Sequence, residues 1–175
     1  MNEDNFYYLA SQLKFTGFGE TLQPALKVQL VQLTDEFVLY YSTEFGKDNL
    51  VATLHFRKSV GSDVYFFDRY NVLLKNEHHP DTVKQAFYIS VNADNISLQE
   101  AYNLMCGRSV QKTITNKEGQ KVVGWVQLDF KYVDKHGNFR LRQFQQPKLE
   151  LLQGAGKTPL PGSLQRASRQ QHLPK

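Results

Sequence analysis

The apolar spacing of this chain changes once, near Asp35, and that change limits the folds open to it. Before it, Phe6, Leu9, Ala10 and Leu13 recur at helical intervals, which predicts a helix over residues 3–15 that Gly17 and Gly19 bring to a stop. A second helix is expected from about Thr21 to Leu33, with Pro24 in its first turn and Leu22, Leu26, Leu30 and Leu33 as its apolar stripe. From Asp35 onward the period is two. Phe37, Leu39 and Tyr41 alternate with Val38, Tyr40 and Ser42, and Leu50, Ala52, Leu54 and Phe56 alternate with Val51, Thr53, His55 and Arg57. With Gly46-Lys-Asp-Asn49 as the turn, this reads as an antiparallel hairpin.

Further strands are expected at Val64–Lys75, Val83–Val91, Val110–Thr115, Val122–Tyr132 and Asn138–Phe144. Their turns are Val60-Gly-Ser-Asp63, Glu77-His-His-Pro-Asp81, Asn116–Lys121 and Asp134-Lys-His-Gly137. One helix interrupts them. Ser97-Leu-Gln-Glu100 is a capping box, Leu98, Ala101, Tyr102 and Met105 form a stripe, and Gly107 stands where a left-handed stop belongs. The fold class that follows is α+β: a largely antiparallel sheet of about six or seven strands with two N-terminal helices and one inserted helix. Short hairpin turns argue against a doubly wound parallel sheet. Residues 1–147 read as a single domain. Residues 148–175, rich in Gly, Pro, Gln and basic side chains, read as a flexible basic tail.

Composition narrows the setting. One Cys allows no internal disulfide, no apolar run approaches the length of a membrane span, and Met1-Asn-Glu-Asp lacks the basic start of a signal peptide. A cytoplasmic protein with no membrane partner is the expectation. The formal charge of +4 and pI of 9.1 trace to residues 146–175, where five Lys and Arg stand against Glu150, while the remaining residues balance. Overall basicity is therefore no argument for a basic body.

No catalytic constellation emerges. Cys106 falls at the end of the inserted helix, where the dipole disfavours a thiolate, although Arg108 is near in sequence. His78-His79 lacks ligand spacing to Cys106, His55 or His136, so no metal and no cofactor are expected. Asp68-Arg69 interrupts an apolar strand. It marks either a one-sided strand or a bulge, and an ion pair is the simplest role for it. Gly17-Phe-Gly19 is no phosphate loop. What remains is a set suited to binding. Arg57, Tyr65, Phe67 and Arg69 are expected on the sheet face opposite Leu54 and Phe56, Arg140 and Arg142 alternate on the last strand, and Trp125 and Arg108 belong to the same candidate set. Trp125 is equally a packing anchor.

Several segments occur in a recognisable order: Phe15-Thr-Gly-Phe-Gly-Glu20, Ala52-Thr-Leu-His-Phe-Arg57, Asp63-Val-Tyr-Phe-Phe67, Glu100-Ala-Tyr-Asn-Leu104, Thr115-Asn-Lys-Glu-Gly-Gln-Lys121 and Gly124-Trp-Val-Gln-Leu-Asp-Phe130. Over residues 3–145 the chain resembles a family of uncharacterised proteins from Bacteroides-type bacteria, often encoded near conjugative or mobile elements. The resemblance carries no catalytic residue. It implies a context of DNA mobilisation and no mechanism. The functional expectation is a non-enzymatic binding or adaptor module in a bacterial cytoplasm with a protein partner. The alternative is a nucleic-acid-binding accessory protein, with DNA or RNA as partner.

Overall fold

A computed structural model describes residues 1–76, 81–91 and 94–145. The expected tail from residue 148 and the His78-His79 turn lie outside the described residues. Internal contacts divide the chain into two compact units, Met1–Tyr102 and Asn103–Lys175.

The first unit opens with α1 (Glu3–Phe15), whose N-cap Asn2 accepts a hydrogen bond from the Asn5 backbone N–H and whose first turn carries Glu3 and Asp4 against the helix dipole. Leu9, Ala10 and Leu13 are buried as the periodicity requires, but the first buried position is Asn5 rather than Phe6. The Asn5 amide donates to the Tyr65 carbonyl at 2.9 Å, and its carbonyl accepts the Tyr65 N–H at 2.8 Å. A helix side chain thereby replaces a strand neighbour for both backbone groups of Tyr65. After α1 the chain turns at Gly17, and Phe18, 1% exposed, meets Tyr41, Phe67 and Tyr70 edge-on. Then α2 (Gln23–Gln32) ends on Leu33, which is left-handed at φ 54°.

Four strands follow: β1 (Glu36–Phe45), β2 (Asp48–Lys58), β3 (Tyr65–Lys75) and β4 (Val83–Tyr88). They form an antiparallel sheet in chain order. The first turn is tighter than the sequence suggests. Phe45 pairs with Asp48, only Gly46 and Lys47 form the loop, and Gly46 supplies the positive φ of 63°. Asp48 is therefore a buried strand residue, and it accepts hydrogen bonds from the Tyr102 hydroxyl and the Asn76 amide. On the buried face Phe37, Phe56 and Phe67 stack in sequence at 4.8 and 5.0 Å between centroids. Tyr70 lies in the same layer. Burial holds its phenol well above the usual value of 10, so it remains a donor, to the Ile96 carbonyl at 2.6 Å. The inserted helix α3 (Leu98–Met105) starts with the expected capping box. Ser97 N–H donates to Glu100 Oε2 at 2.8 Å and Glu100 N–H to Ser97 Oγ at 3.3 Å. Leu98 N–H also donates to the Thr16 carbonyl at 2.8 Å, which ties the start of α3 to the end of α1.

The second unit begins within α3. Gly107, at φ 82°, closes the helix: its N–H donates to Leu104 and that of Arg108 to the Asn103 carbonyl. Three strands, β5 (Val110–Thr115), β6 (Lys121–Val133) and β7 (Phe139–Gln145), form a second antiparallel sheet in chain order. The α+β class and the seven antiparallel strands hold, and the strands form two sheets of four and three rather than one. Val110, Ile114, Val126 and Leu128 are buried on one face, as alternation requires. Gly124 sits among them because a Cβ there would lie 2.4 Å from Ile114 Cδ1 and 2.6 Å from the Phe144 carbonyl. A register shift between Asp129 and Val133 ends the pattern, and Phe130 and Tyr132, which strict alternation would set on the face of Val126, are exposed. Likewise β4 ends at Tyr88, so Ile89 and Val91 lie beyond the strand.

Removing the Asn5 side chain strands two backbone groups of β3. Asn5→Ala should cost roughly 2–5 kcal/mol, against about 1 kcal/mol for the cap deletion Asn2→Ala. Urea unfolding measures both, and equal losses would contradict the bridging role.

Candidate binding face on the four-stranded sheet

The face of the first sheet away from the helices is set by one irregularity. His55 pairs with Arg69 but its neighbour Phe56 pairs with Phe67, so Asp68 is an extra residue in β3. Before this bulge the odd residues Tyr65 and Phe67 point to the core; after it the even residues Tyr70, Val72 and Leu74 do. The expectation that Tyr65 and Phe67 share the open face with Arg57 and Arg69 is thereby overturned. They are 1% and 3% exposed and belong to the core. A strict two-residue period would place them opposite Tyr70, and the inserted residue brings both sets inward.

Arg57 and Arg69 do come together. Arg57 Nη2 lies 3.2 Å from Asp68 Oδ1, and Arg69 Nη1 lies 2.8 Å from Asp68 Oδ2. One carboxylate thus holds two guanidinium groups. The Arg57 side chain is 62% exposed, and such a pair contributes only about 0–1 kcal/mol to folding. Its value lies in fixing where the two cations stand. Beside it, His55 Nε2 and Asn71 Nδ2 are 3.0 Å apart, which makes the ring nitrogen the acceptor. Burial, and then the nearby Arg69 charge, hold the His55 pKa below its usual 6.5, against smaller opposing effects of Asp68 and Glu36. His55, Arg57, Asp68 and Arg69 line an open cleft of about 430 Å³ that also includes Glu36 and Val38.

The pairing registers extend the face. One cross-strand row runs Val38, His55, Arg69, Tyr88; the next Tyr40, Thr53, Asn71, Ala86; the next Ser42, Val51, Leu73, Lys84. Tyr40 and Tyr88 are 70% and 66% exposed, and Val51 and Leu73, directly paired, are each 41% exposed. Phe66 adds a further half-exposed ring next to Arg57. The sequence places Tyr40 and Val51 on this side through the alternation of β1 and β2. The side of Leu73 and Tyr88 is fixed with Arg69, whose register on β2 and β4 the bulge sets.

The other candidate residues lie in the second unit. Trp125, Arg140 and Arg142 share one face of its sheet, where Trp125 pairs with Phe144, Gln127 with Arg142 and Asp129 with Arg140. Arg108 is not among them; it is exposed in the turn after α3 and donates to the Asn103 side chain at 2.9 Å. Cys106 is half-buried in the same turn. Among the described residues no three His, Cys, Asp or Glu side chains gather in a way that could hold a metal ion. No described helix is long and apolar enough to cross a membrane. Comparison with protein-family models, with curated proteins and with solved structures finds no match.

The depressed His55 pKa has a consequence for stability. Well above pH 6.5 the ring is neutral both folded and unfolded; as pH falls through 6.5 the unfolded chain takes up the proton more readily, so stability falls as pH falls. Wild type should lose stability relative to His55→Gln between about pH 7.5 and pH 5.5. Urea midpoints at the two pH values measure this, and a constant difference would contradict it.

Proposed function

We propose that the protein is a non-enzymatic binding module that docks a protein partner on the open face of its four-stranded sheet. The observation that carries this reading is the composition of that face. Two highly exposed tyrosines and the Val51–Leu73 pair surround two arginines already fixed by Asp68. Tyr and Arg are the residues that most often anchor protein interfaces, and a fixed guanidinium loses less freedom on binding than a mobile one. The aliphatic Val51–Leu73 pair suits side-chain burial better than base stacking. The charges near the cleft, Arg57 and Arg69 against Asp68 and Glu36, sum to zero, as suits a surface that recognises a mixed protein patch rather than a polyanion. The single cysteine supports a reducing, cytoplasmic setting.

A photo-reactive phenylalanine analogue placed at Leu73 tests this in the cells that make the protein. Illumination should give a discrete adduct with another protein. The adduct should be lost when Arg57→Glu is added and should not form when the analogue replaces Val28, an exposed position of α2. Equal crosslinking from both positions, or none from Leu73, would contradict the reading.

A further inference from the structure

Counted over the whole chain outside residues 146–175, charge balances; counted by structural unit, it does not. Residues 1–102 hold eight Lys and Arg against thirteen Asp and Glu, a net of −5. Residues 103–145 hold eight Lys and Arg against three Asp and Glu, a net of +5 in 43 residues, and every one of the eight except Lys112 is exposed. The second unit is strongly basic before residues 146–175 add their own positive charge.

The basic charge meets flat aromatic rings on one face of the three-stranded sheet. Trp125 and Phe144 are directly paired, partly exposed, and on the side opposite the buried Val126 and Leu128. The Arg142 guanidinium lies 5.1 Å from the centre of the Phe144 ring, and Arg140 lies 4.2 Å from that of Tyr132. Asp129, whose side chain is 12% exposed, stands 3.4 Å from Arg142 and holds that guanidinium in place. The face therefore offers a row of aromatic planes followed along β7 by two rows of arginine.

From this arrangement we infer that the three-stranded sheet binds single-stranded nucleic acid, with bases stacked on Trp125 and Phe144 and phosphates held by Arg142 and Arg140. The partner is recognised by what DNA and RNA share, flat bases and a phosphate backbone. A duplex fits poorly, because its bases are stacked on each other and cannot reach a flat ring. An acidic protein would answer the charge but leave the aromatic row unused. This inference is independent of the protein-binding reading, which concerns the other sheet.

Trp125 is the only tryptophan in the chain, so its emission reports this face and nothing else. The experiment titrates full-length protein with a dT oligonucleotide, an rU oligonucleotide, a duplex and polyglutamate of matched charge at two salt concentrations, following Trp125 fluorescence and the anisotropy of a labelled ligand. The single strands should quench Trp125 and bind more tightly than the duplex. Arg140→Ala with Arg142→Ala should lower the slope of log affinity against log salt by about two. Trp125→Leu, followed by anisotropy, should weaken binding by roughly tenfold or more. Arg140→Ala alone, at an exposed position, should lower the slope by about one and keeps the test open if the double variant fails to fold. Binding without quenching would mean attachment through other basic residues and would overturn the inference. So would equal affinity for duplex or polyglutamate, or no binding at all.

Discussion

One extra residue in one strand decides what the larger sheet can do. Asp68 interrupts the ladder between β2 and β3, and every side chain of β3 on either side of it takes its direction from that interruption. Because the side-chain period of a strand is two, an uninterrupted β3 would place either Tyr65 and Phe67 or Tyr70, Val72 and Leu74 in water. The bulge buries all five. The stack of Phe37, Phe56 and Phe67 and the edge contacts of Phe18 exist only in that register. The same residue that resolves the packing conflict projects a carboxylate outward, and that carboxylate gathers Arg57 and Arg69. Core order and open-face chemistry are two sides of one local event.

Much of this fold is legible in the sequence because most of its elements follow a single local rule. The stripe of α1, the capping box of α3, the glycine stop at Gly107 and the bounds of β5 all come from spacing and cap residues acting over a few positions. The division into two sheets was not legible, since alternation within a strand says nothing of which strands it joins. The open face was half legible. Asp68-Arg69 within an aromatic strand is a visible anomaly, and a bulge was one of two ways to accommodate it. Choosing between them needed the pairing with His55 and Phe56. Asn5 was illegible for a similar reason: a polar residue at a helix's buried position makes sense only once the backbone of Tyr65, sixty residues away, is known to have no β4 partner on the side away from β2.

Charge shows how an average can conceal a division. A body with equal numbers of acids and bases looks electrostatically featureless until the boundary near Tyr102 is drawn through it. The acidic unit carries the apolar, locally neutral face; the basic unit carries the aromatic and arginine face. The two sites proposed above, on faces of such different chemistry, would together make the chain an adaptor that joins a protein to a polyanion.

The residue count at the bulge, rather than the ion pairs at Asp68, organises the first unit, and a single comparison of urea unfolding tests this. Asp68→Ala keeps the count and removes both ion pairs; deletion of Asp68 removes the count as well. The substitution should cost about 1 kcal/mol or less and the deletion should abolish cooperative folding, because one aromatic set or the other must turn outward. Equal stabilities for the two variants would contradict it.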